Sequence, residues 1–265
     1  MDEDMVADIT SEKRGQTLIL GFNRPQRANA LSLEMATQLF NALKPATTDH
    51  GIRAVMLRGQ GGTFMDGLDM ELYSGDYTTA LDRANQMALP YHSAIRELQV
   101  MDKPVLAAVE GVVAGPGLSL MLACDFVIAA RGTKFNCRFT SYGMTPDGGA
   151  SLLLTRKLGV ARATELLMLS DDFSAEDAEK WGLVNRVVDP GKLQDEAFAW
   201  VDRLTAGPTR AYGGTKRLIA KAFEQDLNAQ LGLEHTHWGA SSRTFDFRDA
   251  VKAYFAKRPP KFTGM

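Results

Sequence analysis

KPVLAAVEGVVAGPGLSLMLACDFVIAA, residues 103–130, carries the reading that decides the fold class. KPVLAAVEG (103–111) reads as a buried strand and CDFVIAARG (124–132) as another, and between them a glycine turn delivers the chain into an apolar helix. Strand, turn, helix and strand in close succession argue for an α/β layered fold rather than a sandwich or a bundle. Such a turn normally aims free backbone N–H groups at a ligand. Pro116, at its centre, has none to offer, although a proline is comfortable at the first position of a helix, where that donor is unpaired anyway. The next amide is that of Gly117, at the positive end of the helix dipole.

The alternation continues outward in both directions. TLILGFN (17–23) and IRAVMLRG (52–59) read as strands. Ser32 is placed to cap a helix through about Leu43, with Leu33, Ala36, Leu39, Phe40 and Leu43 on one face. Residues 76–100 carry a long helical pattern, and Ser174–Asp177 fits a capping pattern ahead of a helix that Gly182 stops. The opening MDEDMVADITSEKRG reads as an acidic, polar lead and not as a signal or transit peptide. From 191 to 265 the periodicity is helical with no convincing strand. The expected division is therefore a core over 1–190 and an α-helical region over 191–265 that packs on a neighbouring copy.

A formal net charge of −2 argues against a chain that coats nucleic acid or an anionic membrane. The apolar runs are broken too early to span a bilayer. Cys124 and Cys137 suit a reducing compartment and form neither a CxxC nor a Cys/His ligand pattern. His235 and His237 are two apart, so they do not share a helix face and make poor joint metal ligands. No metal is expected, and the cytoplasm is the expected location.

Two glycine turns follow strands, FMDGLD (64–69) and AGPGLS (114–119). Two amides converging on one oxygen form an oxyanion hole, in which losing one donor commonly costs about 2.7–4 kcal/mol. A dinucleotide fingerprint is incomplete, because Leu120 stands where a third glycine is needed. A nucleophile elbow fails at Met121 for the same reason. Pro146-Asp147-Gly148 is by itself strong turn chemistry.

The chain resembles the enoyl-CoA hydratase/isomerase (crotonase) family over nearly its whole length. FNRPQRANALS (22–32), GGTFMDGLDM (61–70), the opening stretch, YGMTPDGGASLLLTRKLG (142–159), FSAEDAEKWGLVNRVV (173–188) and AYFAKRPPKF (253–262) carry the resemblance, in the family's order and spacing. It implies a spiral of ββα units with a C-terminal helical region that builds homotrimers, often paired into hexamers. The implied substrate is an acyl-CoA thioester, with no cofactor beyond the coenzyme A it carries. Two backbone N–H groups polarise its carbonyl in the family. The first maps to Leu68, after Gly67, and the second to Pro116, so a displaced hole using Leu68 and Gly117 is expected.

The resemblance also assigns side chains. The two glutamates with which hydratases add water map to Ser119 and Phe139, so hydration by paired carboxylates is not expected. Asp147 maps to the catalytic carboxylate of isomerase-type and dehalogenase-type relatives. Burial in an apolar pocket would raise its pKa and suit it to carry a proton between C2 and C4 of an enoyl thioester. His92 maps to a catalytic histidine of the 4-chlorobenzoyl-CoA dehalogenase branch, but Phe139 replaces that branch's tryptophan. Arg24, Arg27, Ala28 and Ala30 lie in the loop that wraps the nucleotide in relatives, with Arg27 suited to a phosphate. Asp66 stands where the family usually has a small residue, and Asp69 and Met70 close the same segment. Trp238 and Lys257 map to positions that reach the coenzyme A of the same or an adjacent subunit. Met65, Met70, Leu72 and Met144 are candidates for an acyl channel. The favoured reading is a 3-enoyl- to 2-enoyl-CoA isomerase working through Asp147. The alternatives are a hydrolase or dehalogenase-like enzyme using His92 with Asp147, and a catalytically silent CoA-binding protein.

Overall fold

A computed structural model describes residues 7–265, apart from the Tyr77 side chain. Its larger sheet has the order β1 (Ile9–Arg14), β2 (Thr17–Phe22), β3 (Ala54–Gly59), β5 (Val105–Val109), β7 (Phe126–Ala130) and β10 (Arg186–Val188). β1 is antiparallel to β2, and the other neighbours are parallel. A smaller sheet joins β4 (Met65–Asp66), β6 (Val112–Ala114), β8 (Lys134–Asn136) and β9 (Phe173–Ser174). Helices α1 (Leu33–Thr48), α2 (Ala80–Val100), α3 (Pro116–Leu122), α4 (Ala150–Leu169) and α5 (Ala175–Lys180) are interleaved with the strands. Helices α6 (Leu193–Thr205), α7 (Thr209–Lys221), α8 (Leu227–Ser241) and α9 (Phe245–Phe255) follow. Three successive units, β3–β4–α2, β5–β6–α3 and β7–β8–α4, each send one strand to each sheet before a helix, which is the expected ββα spiral.

The central strands β2, β3, β5 and β7 carry continuous apolar runs because both faces of the larger sheet are covered there. Leu20, Phe22, Leu57 and Val109 face the main core with α1, α2 and the smaller sheet. The alternate residues Ile19, Met56, Leu106 and Ile128 pack under Leu193, Ala197 and Val201 of α6. The first helix after residue 190 therefore closes the outer face of the sheet. Beyond it, α7 packs on α2, and α8 packs on α7. The last two helices leave Leu227, Leu231, Trp238, Phe245, Phe247, Tyr254 and Phe255 exposed. No helix among the described residues is long and apolar enough to cross a membrane.

Two readings of local structure are corrected. Residues 9–14 are not part of a polar lead. They form β1, an edge strand on which only Ile9 is buried, so it lacks the apolar alternation that marks a strand. Helix α1 runs past Leu43 to Thr48 through Pro45. The reason lies far away in sequence: the buried Lys103 ammonium donates to the Ala46 and Asp49 carbonyls at the helix's open end (2.7 Å for Asp49). Burial holds that ammonium's pKa below the usual lysine value.

Gly111 is the joint between the two sheets. It adopts φ +67°, and a Cβ there would stand 2.2 Å from the Gly62 carbonyl oxygen, a backbone atom that cannot step aside. Gly111→Ala is expected to lose about 2–3 kcal/mol or more of unfolding free energy, since the strained backbone alone costs about 1–3 kcal/mol. Chemical denaturation checks this, and an unchanged midpoint would contradict the account of this joint.

Candidate active site

The smaller sheet places the site. Its parallel strands are in register with Asp66 opposite Ala114 and Ala114 opposite Asn136. The three chains leave by one edge, and two residues beyond that row stand Leu68, Pro116 and Arg138. All three wall a cavity of about 430 Å³, together with Leu31, Tyr73, Met87, Tyr91, Phe139, Met144 and Asp147.

Leu68 bridges to Leu31 in a way that frees its own amide. The Leu31 N–H donates to the Gly67 carbonyl (2.9 Å), and the Asp69 N–H donates to the Leu31 carbonyl (3.0 Å). The Leu68 N–H is turned away from this pairing and has no protein acceptor among the described residues. At the neighbouring turn the Gly115 N–H is engaged by the Asn136 carbonyl (3.1 Å), and Pro116 begins α3. Gly117 is buried behind the proline with its α-carbon against Met65, and it is not among the residues that wall the cavity.

Asp147 hangs from two anchors. Its Oδ1 lies 2.6 Å from His92 Nε2, and its backbone carbonyl accepts the Ser119 hydroxyl at 2.8 Å. The expected burial is not found: the Asp147 and His92 side chains are 52% and 47% exposed. The turn rises from two glycines; Gly148 has φ +62°, and a Cβ there would also collide with the Tyr91 hydroxyl. Tyr91 is buried and donates to the Pro116 carbonyl (3.1 Å). Burial drives its phenol pKa well above the usual range, so Tyr91 acts as a neutral donor. Burial, and secondarily the Asp147 charge, also raises the Tyr73 phenol. Ser119, His92 and Asp147 do meet. The serine, however, is fully buried and faces the Asp147 peptide instead of the imidazole, so the three do not form a nucleophile relay.

The other predicted residues distribute as follows. Arg24 ties its loop to the first glycine turn, pairing with Asp69 (2.8 Å) and Asp8 (3.6 Å) and donating to the Ala30 carbonyl (2.8 Å). Arg27 is exposed and forks onto the Glu71 carboxylate at 2.6 and 3.0 Å. The Ala28 carbonyl accepts the Asp66 N–H (3.0 Å), and the Asp66 carboxylate pairs with Arg138. Phe139 is buried in the cavity wall. Of the acyl-channel candidates Met144 is on the wall, Met65 lies behind Gly117, Met70 is exposed and Leu72 packs against the core. Trp238 is exposed on α8, where with His235 and His237 it lines a separate groove against α7. Lys257 follows α9 and is also away from the cavity. Among the described residues no three His, Cys, Asp or Glu side chains cluster as metal ligands, and both cysteines are buried free thiols. Arg138, Tyr91 and Tyr73 were not singled out from the sequence. The available signal for Arg138 was its place immediately after a third short strand, parallel to those that precede the two glycine turns.

A sequence model of enoyl-CoA hydratase/isomerase matches residues 12–265. The chain belongs to this family. A relative from Escherichia coli (strain K12), 1,2-epoxyphenylacetyl-CoA isomerase, is 39% identical over 98% of this chain and 100% of its own. A probable enoyl-CoA hydratase from Rhodobacter capsulatus is 34% identical over 93% of this chain and 94% of its own. The crystal structure of an enoyl-CoA hydratase from Polaromonas sp. JS666 superposes with a TM-score of 0.91 at 35% identity, covering 96% and 99% of the two chains. The enoyl-CoA hydratase/isomerase member described here therefore has relatives named for both reactions.

Removing the Ser119 hydroxyl should loosen the Asp147 turn. Ser119→Ala is expected to lose about 1 kcal/mol of stability, because the Asp147 carbonyl keeps a second donor in the Ala150 N–H (3.2 Å). Thermal unfolding monitored by circular dichroism checks this, and a loss above about 3 kcal/mol would mean that the serine holds more than one peptide.

Proposed function

We propose that this family member moves a carbon–carbon double bond in an acyl-CoA thioester, converting a 3-enoyl to a 2-enoyl chain, with Asp147 as acid and base. One observation carries the reading: Asp147 is the one carboxylate among the described cavity-lining residues, while serine and phenylalanine occupy the positions of the hydratase glutamates. A relative named trans-2-decenoyl-[acyl-carrier-protein] isomerase, 30% identical over 92% of this chain, supports the same class of reaction, whereas the 39% identical isomerase is named for an epoxide substrate. The Asp147 carboxylate takes a proton from C2, and the electron pair moves into the thioester carbonyl, leaving an oxyanion beside the Leu68 N–H. Electrons then return through the C2=C3 bond as the new carboxyl delivers the proton to C4. No atom is gained or lost, and Asp147 ends ionised as it began. His92 orients the carboxylate throughout.

Coenzyme A would lie along the loop of Ala28 and Ala30, with Arg27 exchanging Glu71 for a phosphate. Trp238 and Lys257 would reach it from the same or an adjacent chain. The exposed apolar side chains of α8 and α9 support a homotrimer or a hexamer. The close contact between His92 and Asp147 favours a second reading, in which the pair acts as nucleophile and base in a hydrolytic or dehalogenating enzyme.

A panel of 3-enoyl-, 2-enoyl- and 4-chlorobenzoyl-CoA followed by mass spectrometry and ultraviolet absorbance separates these. Conversion of 3-enoyl to 2-enoyl-CoA is expected, with Asp147→Asn slowing it by about 10²–10⁴-fold and leaving acyl-CoA binding intact. Hydration that persists in Asp147→Asn would overturn the reading, and release of free CoA or chloride would establish the second one. Binding with no turnover would point to a silent CoA-binding protein.

A further inference from the structure

The site has one backbone amide where two are useful. Pro116 has no N–H, the Gly115 N–H is engaged by Asn136, and the Gly117 amide belongs to a residue outside the cavity wall. The Tyr91 hydroxyl, a buried side-chain donor on the same wall, is committed to the Pro116 carbonyl. We propose that Arg138 supplies the second electrophilic donor to the thioester oxygen, so that a side-chain cation does the work of the amide that Pro116 lacks. This rests on the acyl-CoA reading of the cavity and not on which reaction follows.

Four observations carry it. Arg138 occupies the same position on β8's exit as Leu68 and Pro116 occupy on the exits of β4 and β6, two residues beyond the register-matched row. Its side chain lies against the peptide that bears the free amide: a Cβ built on Gly67 would be 3.8 Å from Arg138 Cδ and 4.0 Å from Nη1. It is the one Lys or Arg among the described cavity-lining residues. Finally, the guanidinium is held and yet still has donors to give. Nη1 is paired with Asp66, whereas Nε and Nη2 have no protein partner among the described residues. The Arg138 backbone sits at φ +55°, an uncommon conformation for a side chain of this size, which fits a residue held in place by its surroundings.

The chemistry suits the position. A guanidinium stays charged at any working pH and presents a planar fork of donors. Beside a developing enolate it contributes Coulombic attraction as well as hydrogen bonds. Asp66 fixes the fork in place before substrate arrives, which lowers the reorganisation needed when charge develops. With the Arg138 side chain 28% exposed, solvent screens this attraction in part without removing it.

The test reads carbonyl polarisation without requiring a reaction. A saturated acyl-CoA labelled with ¹³C at the thioester carbonyl has no double bond to move, and its C=O stretch can be followed by isotope-edited infrared spectroscopy. Bound to the wild-type protein the stretch is expected to fall below its value in free solution. Arg138→Gln is expected to lose at least half of that shift at saturating ligand, Arg138→Lys to keep part of it, and Asp147→Asn to keep all of it. Asp66→Asn, which leaves the arginine in place with a weaker anchor, is expected to lose less than Arg138→Gln. On a turned-over substrate Arg138→Gln should cut kcat by about 10²–10³-fold with little change in KM. An unshifted stretch in the wild type, a full shift in Arg138→Gln, or a loss confined to binding would overturn the proposal. Failure of double-bond migration with the infrared result intact would overturn only the proposed reaction.

Discussion

The register of three very short parallel strands is the constraint on which the site depends. Asp66, Ala114 and Asn136 lie in one row across the smaller sheet, so three chain segments far apart in sequence leave one edge side by side. Two or three residues per strand would not hold such a row alone. It is held because each short strand follows a longer, largely buried strand of the larger sheet through a short connection. Gly111 is one such connection. The hydrophobic core between the sheets thus fixes where the site's polar groups stand.

Around that row stand the residues at which the resemblance implies departures from the family pattern, and the structure brings them into contact. Pro116 deletes an amide; its carbonyl is taken by Tyr91. Ser119, at the place of a glutamate, is bonded to the backbone of Asp147. Asp66, at the place of a small residue, pairs with Arg138. α3 carries a serine facing this wall, and the carboxylate on the turn before α4 is held at both its side chain and its peptide. The Pro116 turn and the Asp147 turn are therefore linked through α3. Pro116 and Ser119 lie one turn apart on that helix, and through Tyr91 and the Asp147 peptide both reach the same wall.

Most of the larger sheet was legible because burial on both faces writes continuous apolar runs into β2, β3, β5 and β7. The capping serines were equally readable: Ser32 Oγ accepts from the Met35 N–H and Ser174 Oγ from the Asp177 N–H. β1 was hidden because its exposed edge position asks nothing apolar of Ser11–Arg14. The true length of α1 was hidden because Lys103, which satisfies its last carbonyls, comes more than fifty residues later. The smaller sheet escaped notice for a different reason. Strands of two or three residues have too few positions to show a period, and its register is imposed by tertiary packing. The contact between His92 and Asp147 was raised as a pairing of roles, but spacing along the chain could not show the 2.6 Å approach or the exposure of both groups.

Hydrogen-bond accounting separates the groups that build this wall from those free to act on a substrate. A buried donor normally has a partner, so a donor already engaged by protein is part of the scaffold. By that measure the Gly115 amide, the Ser119 hydroxyl and the Tyr91 phenol are scaffold, each held by a backbone carbonyl of a neighbouring turn. Arg24, which sequence position alone would assign to a nucleotide, is scaffold too, because two carboxylates and a carbonyl already occupy it. The Leu68 N–H, the remaining donors of Arg138 and the Asp147 carboxylate are among the groups the cavity keeps available, with the Tyr73, Tyr142 and Thr145 hydroxyls on the same wall. A backbone amide, a guanidinium and one carboxylate base around a largely apolar space suit a reaction in which negative charge appears on a carbonyl oxygen while a proton is lifted from the neighbouring carbon. Adding water by paired carboxylates would require a second one, and Asp147 is the one carboxylate among the described cavity-lining residues.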